Sequence, residues 1–369
     1  MSDGAATGRG GKAARARVVY VGPGERCRGG IASVIGAYRQ SGLWGRYDCR
    51  WLATMDDRNG LRKVLAFLGA LVRSVPMLAR ADIVHVHTAS RTSFYRKSVF
   101  VRLAKLLGKR VVLQVHGGGF AGFVAGQRRL GRWMTRRLLG VCDAVLVLSE
   151  SKGRELREVL GGVESEIMPN PSPPVVASVE GQDKSGGTVF FAGWIEEHKG
   201  VFDLLEAFAA VTERVPEARL VVAGKGQIKA AAARAAALGI GKHVTFPGWL
   251  GGEALARAYA EAAVFCLPSY VEGLPMSILE AMSYGTAVVA SRVGGIPDVI
   301  SDGLNGLLVE PGQVGALADA LVGVLQDGRR REELGCAAKR TVAADYSLEA
   351  VSEQLGRLYE RLLGRGVAG

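Results

Sequence analysis

The feature that most constrains this chain is a repeated alternation: short β-branched runs, each closed by a glycine-containing loop and followed by a helical pattern. Residues 18–21 (VVYV) open it, and GPGERCRGGIASVIGAYRQ continues as glycine loop and helix. Further strands are expected at 83–87 (IVHVH), 111–116 (VVLQVH) and 144–148 (AVLVL), each preceded by a helical pattern. Buried β-rich runs alternating with helices imply a parallel sheet covered on both faces, and ligands of such sheets gather at the carboxyl ends of the strands. The alternation breaks at 170–187 (NPSPPVVASVEGQDKSGG), a Pro, Gly and Ser-rich stretch that reads as a linker. It then resumes with TVFFAGWIEEHKGVFDLLEAFAAV, RLVVAGKGQ, HVTFPGWL and VFCLPSY. The expectation is α/β, with two doubly wound domains and a cleft between them. Residues 1–16 are a flexible basic tail, 17–171 the first domain, 172–187 the linker and 188–345 the second domain. A final helix within 346–369 packs across the junction.

Length and composition agree, since 369 residues exceed one typical domain and 48% hydrophobic against 22% charged residues describes a globular chain. The apolar run at 64–72 is closed by Lys63 and Arg73, short of the ~18–20 residues a membrane helix needs. Cys27, Cys49, Cys142, Cys266 and Cys336 include no CxxC pair, so neither a disulfide frame nor a zinc site is indicated, and a reducing cytoplasm fits. Charge is unevenly placed. Residues 1–171 hold 29 Lys+Arg against 12 Asp+Glu, the remainder 18 against 23. The first half therefore faces an anionic partner, for which nucleic acid, anionic lipid and a phosphorylated substrate all qualify. Two segments there resemble surface contacts. Residues 60–80 present an apolar helical face edged by Arg62, Lys63, Arg73 and Arg80. Residues 127–139 set Arg128, Arg129, Arg132, Arg136 and Arg137 beside Trp133. This is the composition of a helix lying on an anionic bilayer, or of a solvated basic face over a core stripe.

The most chemically informative stretch is 268–298, PSYVEGLPMSILEAMSYGTAVVASRVGGIPD. Pro275 suits a first helical position and Gly285 can end the helix. Free N–H groups then gather near Gly273 and Leu274, where a helix end carries roughly half a positive charge and attracts phosphate. Glu272 stands at the mouth of that site. Glu280 lies roughly 9 Å further along the axis, a spacing that suits a nucleotide with diphosphate at one end and ribose at the other. Two solvated glutamates on an ordinary helix is the plainer alternative.

Other loops add to this. Gly29-Gly30 precede a helix and can bring N–H groups against a phosphate; the loop is no dinucleotide fingerprint, because Cys27 stands where the third glycine is required. His116 ends a strand ahead of three glycines, whereas His85 and His87 lie inside one and read as structural. Lys199 precedes a helix and can neutralise a phosphate leaving group. Trp249 stands at a strand end, where it packs on a nucleobase or into the core.

Gly29-Gly30, DIVHVH at 82–87, VHGG at 115–118, PNP at 169–171, GWIEEHKG at 193–200, and EGLPMSILEAMSYG with VGGIPDVI resemble the family 4 (group 1) retaining glycosyltransferases of the GT-B fold, over nearly the whole chain. HTASRTSFYRK, LQVHGGGF and FAGWIEEHKG also resemble enzymes that build bacterial exopolysaccharide or capsule repeats on a lipid carrier. The resemblance implies two Rossmann-like domains. It implies a nucleotide-diphosphate sugar as donor and, as acceptor, a saccharide or a polyprenyl-diphosphate-linked saccharide at the inner face of the cytoplasmic membrane. In it Glu280 binds the donor ribose and Glu272 the transferred sugar. Gly273 and Leu274 offer N–H groups, Lys199 pairs with the diphosphate, and His116 faces the sugar from the first domain. The chain departs from the family in one place: Gly193-Trp194 stands where Gly-Arg is common, so an expected phosphate-binding arginine is missing. The sequence has no DxD and no metal is expected. The alternatives are a nucleic-acid-binding basic protein, a GT-B phosphorylase and a nucleotide-sugar epimerase.

Overall fold

The computed structural model describes residues 15–25, 27, 29–55, 61–184 and 186–365, with the side chains of the helix Leu61–Ala79 described from Leu68 onward. The basic tail, save Arg15 and Ala16, falls outside the described residues, as do the side chains of Arg62 and Lys63. Ala16 is already buried, and its carbonyl accepts from the Asp48 N–H at 2.9 Å.

The strands are β1 (Arg17–Gly22), β2 (Asp48–Ala53), β3 (Ile83–Thr88), β4 (Arg110–Val115), β5 (Ala144–Val147) and β6 (Glu166–Ile167), then β7 (Thr188–Ile195), β8 (Arg219–Gly226), β9 (Val244–Gly248), β10 (Val264–Leu267), β11 (Ala287–Ser291) and β12 (Leu307–Val309). They form two six-stranded parallel sheets, ordered β2-β1-β3-β4-β5-β6 and β12-β11-β10-β7-β8-β9. Each order reverses direction once, between β1 and β3 in the first sheet and between β7 and β10 in the second. Both sheets are thus doubly wound, with a crevice at the reversal point.

The first sheet shows why its strands read as continuous apolar runs. Val19, Val21, Val84, Val86, Val111 and Leu113 fill the core on one face, and Val18, Tyr20, Ile83, Val112 and Leu146 the core on the other. Alternate residues point to opposite faces and both faces are covered, so both phases of the period must be apolar. The helices Leu61–Ala79, Thr92–Leu106 and Arg129–Gly140 cover the first face, the middle one packing against the other two. The second face is covered by the helix Gly30–Gln40 and by Leu348–Leu362 from the far end of the chain, whose Val351, Leu355, Leu358 and Tyr359 are buried against it. That last helix starts at Ser347, whose hydroxyl accepts from the Ala350 N–H at 3.2 Å.

The stretch 172–187 joins the sheets along the second domain. Ser172 N–H donates to Tyr346 O at 2.7 Å, Val179 is buried against Ala256 and Ala260, and the Lys184 amine donates to Thr286 Oγ1 at 2.7 Å.

Candidate active site

The strand ends of the two sheets face one another across a cavity of about 330 Å³. From the first domain it is lined by Gly29 and Gly30 after β1, Ala89 after β3 and His116 after β4. From the second come Trp194 at the end of β7, Lys199 after β7, Trp249 after β9, and Glu272 to Glu280 after β10. The residues singled out as catalytic or donor-binding are therefore neighbours in space, although they come from five separate segments of the chain. Arg128, Arg129, Arg132, Trp133, Arg136 and Arg137 are not among the lining residues; they lie at or on the helix Arg129–Gly140 on an outer face of the first domain.

The helix that opens at the cavity runs from Met276 to Ser283, with Pro275 preceding it, no side chain capping it and no acid in its first turn. Gly285 ends it with φ 65°. The helix Gly30–Gln40 is built alike, with Gly29 before it, no side-chain cap and no acidic first turn. Two uncapped helix N-termini thus border one cavity, each leaving N–H groups and the positive end of its dipole toward it.

Glu272 is buried, with 7% of its surface exposed. Its Oε1 accepts from the Lys199 amine at 2.6 Å and from Ser269 Oγ at 2.8 Å. Its backbone is pressed between two glycines: a Cβ on Gly118 would lie 2.1 Å from Glu272 O, and one on Gly294 would lie 2.0 Å from the same atom. A first-domain loop and a second-domain loop therefore approach Glu272 as closely as bare backbone allows.

Glu280 has no cation beside it. Burial pushes its carboxyl up to about 7, opposed by the adjacent Tyr259 hydroxyl, and burial together with Glu280 raises Tyr259 in turn.

His116 Nδ1 lies 3.2 Å from Asn170 Oδ1, and its Nε2 lies 2.8 Å from His87 Nδ1. Desolvation pulls its imidazole down to about 3. It stacks on His87 at 5.0 Å, and His87 on His85 at 4.2 Å. His85 Nδ1 in turn lies 2.7 Å from the Tyr359 hydroxyl of the far helix.

Trp194, at the end of β7, and Trp249 are both partly exposed on the cavity wall, with ring centroids 6.3 Å apart. Sequence reasoning missed Ser269, Tyr259 and Asn170 as parts of this site. Ser269 stands three residues before Glu272 and could have been suspected on spacing. Tyr259 sits on a helix with an ordinary apolar face and gave no signal.

Two doubly wound domains whose strand ends share one cleft define the GT-B class. Within it, the chain belongs to the family 4, or group 1, glycosyltransferases: residues 5–172 match the family described as Glycosyl transferase 4-like domain, and residues 177–341 the family described as Glycosyl transferases group 1. Among similar proteins is the phosphatidyl-myo-inositol mannosyltransferase of Mycobacterium tuberculosis, 34% identical over 226 residues, or 59% of this chain and 57% of that one. The alpha-D-kanosaminyltransferase of Streptomyces kanamyceticus is 25% identical over 346 residues, covering 87% of this chain and 83% of that one. The chain thus spans little more than half the length of the mannosyltransferase. Solved structures of the same fold include a sucrose-phosphate synthase from Thermosynechococcus elongatus, with TM-score 0.79, 21% identity, and 95% and 100% of the two chains covered. Another is HepE from Anabaena in complex with UDP-glucose, with TM-score 0.76, 15% identity, and 94% and 99% covered.

Proposed function

We propose that this chain is a retaining, metal-independent glycosyltransferase. It moves a sugar from a nucleotide-diphosphate donor to a hydroxyl of a lipid-linked saccharide at the cytoplasmic face of a membrane, in bacterial polysaccharide or glycolipid synthesis. The observation that carries the reading is the donor-shaped polarity of the cleft. Glu280 stands in an apolar recess with Tyr259 at one end; the Lys199–Glu272 pair and two bare helix N-termini stand at the other. The ribose hydroxyls donate to Glu280, and the diphosphate faces Lys199 and the N–H groups at Gly273 and Leu274. The helix end at Gly29-Gly30 supplies the positive potential that an arginine at position 194 would have given.

Retention by a double displacement would need a free carboxylate nucleophile beside the anomeric carbon. Glu272 Oε1 is instead held by an ammonium and a hydroxyl, and Glu280 lies in the nucleoside recess. This favours departure and attack on one face of the sugar. The leaving phosphate oxygen then takes the acceptor proton while the helix ends stabilise its charge. Turnover unchanged by excess chelator is the expected outcome, and loss restored by Mn²⁺ refutes metal independence.

The membrane part rests on the outer face of the first domain. From position 83 to position 142 the sequence has no Asp or Glu but twelve Lys or Arg. On the three helices there, Val72, Leu106, Leu130 and Trp133 are exposed, with Leu106 at 84%. Among the described residues Arg73, Arg102, Arg128, Arg129, Arg132, Arg136 and Arg137 make no ion pair, whereas Arg214, Arg234, Arg257 and Arg292 of the second domain all do. Unpaired arginines interleaved with exposed aliphatic side chains favour an anionic bilayer over nucleic acid, which offers nothing for Leu106 or Leu130 to enter. No helix among the described residues is long and apolar enough to cross a membrane.

A hydrolysis screen across UDP-, GDP- and ADP-sugars tests the donor class. Slow release of one free sugar supports the reading, and none with any donor, with or without lipid-linked acceptor, refutes it.

A further inference from the structure

Two sequence segments, DIVHVH and PNP, remain without a role in the reaction, and the fold brings them together. The Asn170 amide nitrogen donates to Leu274 O at 2.7 Å, crossing from the end of the first domain to the loop that opens the Met276–Ser283 helix. A carbonyl only accepts, so this contact fixes the amide: Oδ1 is turned to His116, and His116 Nδ1 must carry the proton it donates across 3.2 Å. His116 then has its lone pair on Nε2, and His87 donates from Nδ1 across 2.8 Å. The His87 Nε2 lone pair is left buried with no protein partner, while the buried Lys97 amine holds the His87 carbonyl at 2.8 Å. Every proton position in the row follows from one amide orientation. That orientation depends on a carbonyl belonging to the other domain.

We infer that Asn170 is a positioning residue for the transfer proposed above: it locks His116 in the Nδ1–H form and ties that ring to the donor loop at Leu274, so the His116 wall of the cleft is set only when the two domains meet. Resting on that reading, the assignment makes His116 a fixed wall of the acceptor side and not a free base, since both its nitrogens are engaged. The groups that face the row are Lys97, Arg96, Tyr20, Tyr38 and His85, and none of them is a carboxylate. Burial agrees, holding the His116 and His85 rings down to about 3 and His87 well below its ordinary value.

The test has a spectroscopic arm and a kinetic arm, both on the full chain. Histidine nitrogen shifts should show His116 and His87 as neutral Nδ1–H tautomers that do not titrate between about pH 5 and 8. An Nε2–H form of His116, or its titration in that range, overturns the inference. In Asn170→Ala the His116 signal should leave the pure Nδ1–H form. The kcat of donor turnover should fall roughly tenfold to a hundredfold, with donor KM changed less than about threefold and melting unchanged. Asn170→Asp keeps an acceptor for His116 but cannot donate to Leu274, so it should preserve the tautomer and still lose kcat. Full kcat in Asn170→Ala, or loss seen only as raised KM or lowered melting, overturns the positioning role. If the wild-type chain turns over no nucleotide sugar, the proposed function fails, and the tautomers of wild type and Asn170→Ala alone decide whether Asn170 sets His116.

Discussion

At the scale of single residues the site is a study in where carboxylates can afford to be charged. Glu272 is buried but receives an ammonium and a hydroxyl on one oxygen. Replacing it with Gln removes the counter-charge of Lys199 while keeping the shape. Transfer should fall by roughly 10²–10³-fold with folding intact by circular dichroism, and retained activity would remove Glu272 from the mechanism. Glu280 is the opposite case, half-buried on the cavity wall without a cation and raised by desolvation to about 7. A raised folded-state pKa means that its contribution to stability is fully present below the unfolded value of about 4.3 and is lost as pH rises through about 7. Glu280→Gln should therefore raise the melting temperature at pH 8 and leave it nearly unchanged at about pH 4, below both pKa values. The same change should raise donor KM, and the wild-type KM should climb as pH drops below about 7, since the ribose hydroxyls need an ionised acceptor. A pH-independent KM would show that Glu280 does not hold the donor.

At the scale of elements, close approach of loops and exposure of helices carry separate predictions. Gly118→Ala places a methyl group 2.1 Å from Glu272 O, so one of the two loops must withdraw. Both kcat and donor affinity should drop, and a fully active Gly118→Ala would mean that this contact plays no part in turnover. On the outer face, Arg129→Gln with Arg132→Gln removes two charges worth about 1 kcal/mol each near an anionic surface. Binding to phosphatidylglycerol vesicles should weaken about thirtyfold, with phosphatidylcholine binding unaffected.

The elements were unequally legible. β1, β3, β4 and β7 announce themselves because burial on both faces demands unbroken β-branched or aromatic runs. β2, with DCRWLA, lies at a sheet edge with only Leu52 buried, and carries no such run. β6 and β12 have two and three residues, too few for any period to register. The cavity lining was largely legible because glycine loops after strands mark ligand-facing ends. Asn170 was not, because its meaning lies in partners 54 and 104 residues away. His85 and His87 read correctly as buried strand residues, but nothing in IVHVH tells that His87 would pass a hydrogen bond to the cleft.

At the scale of the whole molecule, the helix Leu348–Leu362 belongs in sequence to the second domain and in packing to the first. Tyr359 is fully buried there, donates to the Tyr20 hydroxyl at 3.0 Å and meets His85 at 2.7 Å. Tyr359→Phe should cost about 1 kcal/mol in denaturant unfolding through the lost hydrogen bonds, and Tyr359→Ala about 3–5 kcal/mol through the cavity left behind. Hydrogen exchange should place the loosening in β1, β3 and β4. Loosening confined to the second sheet would contradict this packing.

That helix also sets an order of events at the ribosome. The six strands of the first sheet are complete once Ile167 has been made, yet the face of Tyr20, Ile83, Val112 and Leu146, covered in part by the helix Gly30–Gln40, gains the rest of its cover only when residues up to Leu362 have followed. At ordinary elongation rates the interval is roughly ten to forty seconds. For that time the nascent first domain holds one apolar face only partly covered. The domain made first is thus the domain finished last, and chaperone protection matters most in the window between those two moments.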